Sequence, residues 1–126
     1  MTYKLIMLAL VAVLTLGCSP APAQDSGEVF SGTMEVNMKN LKYVPGAFTV
    51  KKGTVVTFVN QDGMAHNVVQ IAQKEMSKGQ PGFISDVIGP GKSWSVTMDQ
   101  PGTYPILCTE SAHYTSGMVG TITVVE

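Results

Sequence analysis

Charged side chains are scarce in this sequence, and arginine is absent. The 126 residues carry eight lysines and nine acidic residues, so 13% of the chain is charged and the formal net charge is −1. The lysines are scattered rather than clustered. Because nucleic-acid binding needs a concentrated basic surface, we predict no nucleic-acid partner. The length allows about one domain, which excludes large enzymes, multidomain receptors and transporters.

Cysteine is also rare, and Cys18 and Cys108 are the only two in the chain. Cys18 ends an apolar N-terminal run, so cleavage at or beyond it leaves at most one cysteine in the folded part. A disulfide inside the domain is then impossible. A lone thiol in an oxidising compartment is open to oxidation unless something occupies it, so Cys108 needs a chemical explanation.

The N-terminus has the layout of a bacterial export signal. Residues 1–4 carry one lysine, and residues 5–16 form an apolar run too short for a comfortable membrane span. We predict a signal peptide over residues 1–17 and one folded domain over residues 29–126. Residues 18–28 between them are small, polar and proline-rich, which is typical of a flexible tether.

Two cleavage sites compete in this leader. The residues up to Gly17-Cys18 resemble a bacterial lipobox, in which a lipid on Cys18 anchors the protein to a membrane, although Thr15 stands where that pattern prefers leucine. The alternative is cleavage after Ala23, at a small-x-small site. We favour lipidation of Cys18, because this cysteine lies where the apolar run ends. Either site predicts export, to the periplasm or the outer face of the membrane.

From Val29 onward, short stretches of alternating polarity are separated by turn residues. In Thr33–Met38, Thr54–Asn60 and Ser93–Met98, alternate side chains form one inward-facing set, which is typical of strands beside a core. Further strands are predicted over residues 48–51, 65–71, 83–88, 103–107 and 119–125, and a short helix over residues 72–79. The aromatic side chains expected in the core or on a sheet face are Phe48, Phe58, Phe83 and Trp94. This spacing predicts an all-β, single-domain Greek-key sandwich or barrel with antiparallel strands.

Metal-binding side chains are concentrated between the last two predicted strands. Cys108, His113 and Met118 place a thiolate, an imidazole and a thioether in one loop, which folds back and can bring them together. His66, the other of only two histidines, lies near the start of a predicted strand. Each residue alone is more often a packing or surface residue. Together, two imidazoles, a thiolate and a weak thioether are the ligand set of a blue-copper electron-transfer site.

Two parts of the chain resemble a known family. Residues 58–67, which contain His66, resemble the first-ligand segment of the cupredoxins, the plastocyanin and azurin family. Residues 101–104, followed by Cys108 and residues 118–120, resemble the last two strands of that family. The Cys-x4-His-x4-Met spacing is closest to that of the auracyanin and rusticyanin branches. The resemblance covers residues 44–125.

This resemblance implies one mononuclear copper ion. Its implied ligands are His66, Cys108, His113 and, as the weak axial ligand, Met118. Asn67 and Thr109 match the residues that hydrogen-bond to each other in this family and join the two ligand-bearing loops. The sequence departs from many relatives at residues 110–112, where Glu-Ser-Ala replaces the Pro-Gly before the second histidine.

The resemblance also implies an electron carrier rather than an enzyme. It would shuttle one electron by Cu(II)/Cu(I) cycling between redox partners outside the cytoplasm, such as a cytochrome, an oxidase or another donor or acceptor. Docking is expected to be transient and close to His113, whose ring edge in relatives emerges through an apolar patch. The rim expected here consists of Met64, Ala65, Tyr114 and Gly117.

Other functions remain open on the residues alone. A periplasmic copper carrier or chaperone could use the same ligands to hand the ion to an oxidase. A small atypical copper redox enzyme would need an open ligand position, which Met118 argues against. A Cys-His-His set also suits zinc, but a thioether favours copper.

Overall fold

Nine strands form two sheets in the part of the chain that the computed structural model describes, residues 27–70 and 82–126. In chain order they are β1 (Val29–Phe30), β2 (Thr33–Met38), β3 (Tyr43–Val44), β4 (Ala47–Lys51), β5 (Thr54–Asn60), β6 (Val69–Gln70), β7 (Ser93–Met98), β8 (Gly102–Leu107) and β9 (Val119–Val125). The five-stranded sheet has the order β1-β4-β9-β8-β6, and the four-stranded sheet has the order β3-β2-β5-β7. A 3₁₀ segment, Glu110–Ser116, lies between β8 and β9.

The alternating pattern of the sequence places the core between the sheets. Along β5, Val56 and Phe58 are fully buried, while the alternate residues Val55, Thr57 and Val59 are partly exposed. Val50, Ile106 and Ile122 are fully buried from the five-stranded sheet. Burying each such side chain contributes about 1.5–3 kcal/mol. The all-β prediction is therefore confirmed, with one core shared by both sheets.

The predicted aromatic positions are also confirmed. Phe48 and Phe58 are buried, and Phe83 and Trp94 pack against the core from partly buried positions. The Trp94 ring lies 6.2 Å from the Phe58 ring and 5.9 Å from the Phe83 ring, between centroids. These rings close one side of the core beside β7.

The expectation of purely antiparallel strands is wrong. The pairs β1–β4, β2–β5 and β4–β9 are parallel, whereas β2–β3, β5–β7, β6–β8 and β8–β9 are antiparallel. The cause is the path of the chain, because β2 and β5 belong to one sheet but are joined through β4 in the other. Two reversals bring the chain back in its original direction, which makes the neighbours parallel.

Two predicted strands are shorter than expected. Only β6 forms in residues 65–70, and residues 83–88 join the sheet through isolated bridges between Val69 and Ile84 and between His66 and Ile88. One reason is that the Ser85 hydroxyl, rather than a strand carbonyl, accepts the Val68 amide proton at 2.8 Å. The helix predicted over residues 72–79 and the signal peptide over residues 1–17 lie outside the described residues.

The strand ends place the candidate ligands at one end of the sandwich. His66 follows β5, Cys108 follows β8 directly, and Met118 precedes β9 directly. The facing residues Leu107 and Val119 are paired in the β8–β9 ladder, so both ends of the intervening loop are held together. Within residues 27–70 and 82–126, no helix has the length and hydropathy needed to cross a membrane.

Candidate metal centre

Three side chains from separate places in the sequence meet at this end of the fold. The Nδ1 atoms of His66 and His113 lie 3.1 Å apart, and Cys108 Sγ lies 3.8 Å from the first and 3.5 Å from the second. His66 and Cys108 are fully buried, whereas His113 is partly exposed. One sulfur and two nitrogen atoms that can ligate a metal therefore surround one point, called here the convergence point.

Backbone hydrogen bonds close the loop that carries Cys108 and His113. The Cys108 amide donates to the Met118 carbonyl at 3.1 Å, and the Met118 amide donates to the His113 carbonyl at 3.2 Å. The Tyr114 amide donates back to the Cys108 carbonyl at 3.1 Å. Met118, the fourth predicted ligand, lies in this closed loop with its side chain fully buried.

The Glu-Ser-Ala stretch of this loop adopts an unusual backbone. Ser111 and Ala112 have φ values of 43° and 58°, in the left-handed region that side chains with a Cβ disfavour. Gly117, which ends the 3₁₀ segment, has φ 91°, and its amide donates to the Tyr114 carbonyl. The departure from the proline-glycine pattern is therefore accommodated by local strain and a glycine terminus, and the loop still returns to β9.

His66 is held by a carboxylate that the sequence analysis missed. The Nε2 atom of His66 lies 2.9 Å from Asp62 Oδ2, and the Asp62 side chain is only 14% exposed. The backbone amides of Asn40 and Leu41 donate to the same carboxylate at 2.7 and 3.1 Å. The spacing of four residues before a candidate ligand was the available clue, but pairing across a turn depends on the turn's path.

The Asp62 carboxylate is held in its ionised form. Burial alone would raise the pKa of Asp62, but the amides of Leu41 and Asn40 and the His66 ring lower it, and the net pKa lies below its usual value. A carboxylate without a proton only accepts hydrogen bonds, so His66 donates from Nε2. The lone pair of His66 Nδ1 then faces Cys108 and His113.

Asn67 links the two segments that carry the candidate ligands. Its side-chain amide donates to Thr109 Oγ1 at 2.7 Å and accepts the Thr109 backbone amide proton at 2.8 Å. The Asn67 backbone amide lies 3.5 Å from Cys108 Sγ as a donor. From β3, the buried Tyr43 hydroxyl donates to the Asn67 carbonyl at 2.7 Å. Asn67 is therefore fixed on three sides.

The Cys108 thiol is in an environment that resists ionisation in the protein alone. Burial raises the pKa of Cys108, the backbone amides of Asn67 and Glu110 lower it, the Glu110 charge raises it, and the net pKa lies above the usual value. A nearby positive charge would favour loss of the thiol proton. A metal ion at the convergence point supplies one.

The spacing of the donor atoms fits a single metal ion. Bonds of about 2.0–2.1 Å to nitrogen and 2.3 Å to sulfur limit the separation of two ligand atoms to about 4 Å. The three observed separations of 3.1, 3.5 and 3.8 Å all lie below that limit. A thiolate with two imidazoles suits copper, since soft sulfur favours Cu(I) and imidazole suits both oxidation states.

Comparison with known proteins identifies the family. Residues 30–125 match the model for copper binding proteins of the plastocyanin/azurin family. A plastocyanin A'/A'' from Nicotiana tabacum is 36% identical over 92 residues, covering 67% of this chain and 88% of that protein. This chain therefore spans most of the length of that relative.

Solved structures agree with the sequence relatives. Dithionite-reduced auracyanin from Roseiflexus castenholzii is 31% identical, with a TM-score of 0.59 and coverage of 75% of this chain and 97% of that one. A copper-containing nitrite reductase from Thermus scotoductus SA-01 is 26% identical with a TM-score of 0.64, but only 22% of it is covered. The cupredoxin resemblance and the prediction of one mononuclear copper are confirmed, and the chain belongs to the copper-binding plastocyanin/azurin family.

Proposed function

We propose that this protein is a blue-copper electron carrier that shuttles one electron between redox partners outside the cytoplasm. Its proposed copper ligands are His66, Cys108, His113 and, as the weak axial ligand, Met118. The observation that carries the proposal is the convergence of Nδ1, Nδ1 and Sγ within 3.8 Å of one another. When bound there, copper supplies the one-electron Cu(II)/Cu(I) couple.

The surroundings of these side chains suit electron transfer. Strand ends and backbone hydrogen bonds hold the donors in place, so a change of oxidation state need move them little. Full burial of His66, Cys108 and Met118 excludes water from three sides of the site. An enzyme would need an open position for a substrate, so burial favours a carrier over a copper redox enzyme.

His113 is the proposed port for the electron. It is the partly exposed member of the set, and its neighbour Tyr114 is 48% exposed. Met64, four residues after β5, is 47% exposed and would form another part of the rim, together with Ala65 and Gly117. A small patch with uncharged side chains suits brief docking of a redox partner.

Export and membrane anchoring form the remaining part of the proposal. The leader over residues 1–17 would direct export to the periplasm or the outer face of the membrane, and lipidation of Cys18 would hold the domain on its tether. Intact-mass measurement of the exported protein tests this, since a lipidated start at Cys18 and a start at Gln24 differ in mass. A start at Gln24 would overturn the anchor.

Copper titration tests the centre directly. We expect Cu(II) to give the purified full-length protein an intense visible thiolate-to-copper absorption, and Cys108→Ser to abolish it. Cys18→Ser is the matched control, because it removes the other cysteine and should leave the band intact. A colourless wild-type product would overturn the blue-copper assignment.

The port is tested by partner kinetics. Replacing His113 with glycine should slow electron exchange by orders of magnitude while the domain still folds and binds copper through the remaining ligands. Unaltered exchange kinetics in His113→Gly would refute the port. If instead the wild-type protein released Cu(I) readily to an acceptor and cycled poorly, the copper-carrier alternative would replace the electron carrier.

A further inference from the structure

We propose that Asp62 is a positioning residue of the copper centre, which orients His66 for metal binding and lowers the reduction potential of the site. The proposal rests on the copper function above. The inference goes beyond that function because Asp62 is not one of the proposed copper ligands. Asp62 acts through the far side of the His66 ring.

The contacts define how Asp62 acts on His66. Its Oδ2 accepts from His66 Nε2 at 2.9 Å, which fixes the ring rotation and assigns the proton to Nε2. The opposite atom, Nδ1, therefore keeps its lone pair and faces Cys108 Sγ and His113 Nδ1. The ring is completely buried, so water does not compete for either nitrogen.

The carboxylate is itself held in place by the backbone. Asn40 and Leu41 have φ values of 54° and 57°, and this left-handed turn directs both amides at the two carboxylate oxygens. The Asp62 amide donates to the Asn60 side-chain oxygen at 2.9 Å. Three hydrogen bonds from backbone amides, those of Asn40, Leu41 and Asp62 itself, therefore fix Asp62. Its orientation does not depend on the loop that carries His113.

The two histidines consequently differ in their electrical surroundings. His66 bears a carboxylate on its Nε2 proton, whereas His113 makes no hydrogen bond to a carboxylate within residues 27–70 and 82–126. A negative charge hydrogen-bonded to a ligating imidazole makes the ring a stronger donor. It stabilises Cu(II) more than Cu(I), because the oxidised ion carries the larger charge, and the reduction potential falls.

The test compares Asp62→Asn with Asp99→Asn in the full-length copper-loaded protein. Both variants remove one negative charge, but Asp99 is exposed after β7, next to the start of β5 and away from His66. Loss of a hydrogen-bond partner of a metal ligand typically lowers the affinity for the metal 10–100-fold. We expect Asp62→Asn to weaken Cu(II) binding at least about tenfold relative to Cu(I), which raises the one-electron potential by at least about 59 mV. Asp99→Asn should leave both quantities unchanged.

A second measurement does not depend on the variant folding. Nitrogen-15 NMR of the metal-free wild-type protein should show His66 protonated at Nε2, with slow exchange of that proton. His66 protonated at Nδ1, or equal potentials for Asp62→Asn and Asp99→Asn, would overturn the proposal. A wild-type protein without the visible copper band would instead overturn the copper function, so the two failures are distinguishable.

Discussion

His66 and His113 face the same point but are held in different ways. The segment from Asn60 to His66 is organised by side chains: the Asn60 amide donates to the carbonyls of Met64 and Ile88, both at 2.8 Å, and Asp62 accepts from His66. The loop around His113 is organised by backbone bonds and by left-handed residues. The His66 side chain is buried and hydrogen-bonded through Nε2, and the His113 side chain is partly exposed.

This difference separates two requirements of an electron carrier. The side-chain hydrogen bonds of Asn60 and Asp62, called here the His66 network, exclude water from one half of the site and hold it rigid. The loop around His113 leaves the other imidazole partly exposed, which is where we propose that a redox partner docks. Asn67 and Thr109 connect the two halves through a pair of hydrogen bonds. The following experiments perturb each half and the connection in turn.

The largest expected loss of stability follows from disrupting the His66 network. Asn60→Ala removes three hydrogen bonds of the buried Asn60 side chain, those to the Met64 and Ile88 carbonyls and the one from the Asp62 amide, and should cost about 2–4 kcal/mol of unfolding free energy. Denaturant unfolding of the metal-free protein measures this. Asn37→Ala is the control, because its bond to Gln61 is exposed, and should cost at most about 0.5 kcal/mol. Equal losses of unfolding free energy in Asn60→Ala and Asn37→Ala would refute the stabilising role of the His66 network.

The base of the His113 loop depends on a close backbone approach instead. A Cβ at Gly120 would lie 2.6 Å from the Gly46 carbonyl oxygen, whose acceptor role toward Thr121 helps place β9. Gly120→Ala should therefore lower thermal and denaturant stability by about 1–3 kcal/mol. Gly63→Ala, where a Cβ meets open space, should have little effect. An undiminished stability in Gly120→Ala would show that the strand can move aside.

The connection between the halves is measured by a double-mutant cycle. Asn67→Ala removes both bonds, whereas Thr109→Ala removes only the one to Oγ1 and keeps the backbone amide of residue 109. The coupling energy of the shared side-chain bond should be about 1 kcal/mol. The exposed Thr57 and Ser95 hydroxyl pair, 2.8 Å apart, gives the reference value in water, about 0.2–1 kcal/mol. Additive effects of Asn67→Ala and Thr109→Ala would mean that the halves are joined by other contacts.

The smallest effect is expected within the His113 loop. Ser111→Gly relieves a left-handed backbone strain of about 1–2 kcal/mol and costs about 0.5–1 kcal/mol of chain entropy. A net gain of about 0.5–1 kcal/mol should appear in unfolding experiments. Ser116→Gly, at an exposed serine without a positive φ, should instead lose stability. The same sign for both variants would contradict the assigned strain.

The sequence predicts the local pattern of this fold well and its long-range pairing poorly. Strands β2, β5, β7 and β9 were predicted with their observed bounds, because alternation reports which face of a strand is buried. The two-residue strands β1 and β3 carry too few residues for any alternation. The parallel pairing of β2 with β5 depends on β4 crossing to the other sheet, which no local pattern records.

The candidate site divides in the same way. His66, Cys108 and His113 could be proposed because the predicted domain, residues 29–126, has only two histidines and one cysteine, and the structure brings their donor atoms together. Asp62 could not be proposed, since its link to His66 exists only when the turn after β5 is formed. The left-handed φ of Ser111 and Ala112 was equally invisible, as both residues are common in ordinary loops.

The position of β9 has a consequence for the order of folding. It is the middle strand of the five-stranded sheet, yet it follows in sequence both strands with which it pairs, β4 and β8. The five-stranded sheet is complete only when β9 has paired with β4, a strand about 70 positions earlier in the sequence. Such long-range pairing is slow. The Cys108 amide bonds to the Met118 carbonyl just before β9, so the loop that carries Cys108 and His113 is closed only when this last strand is in place.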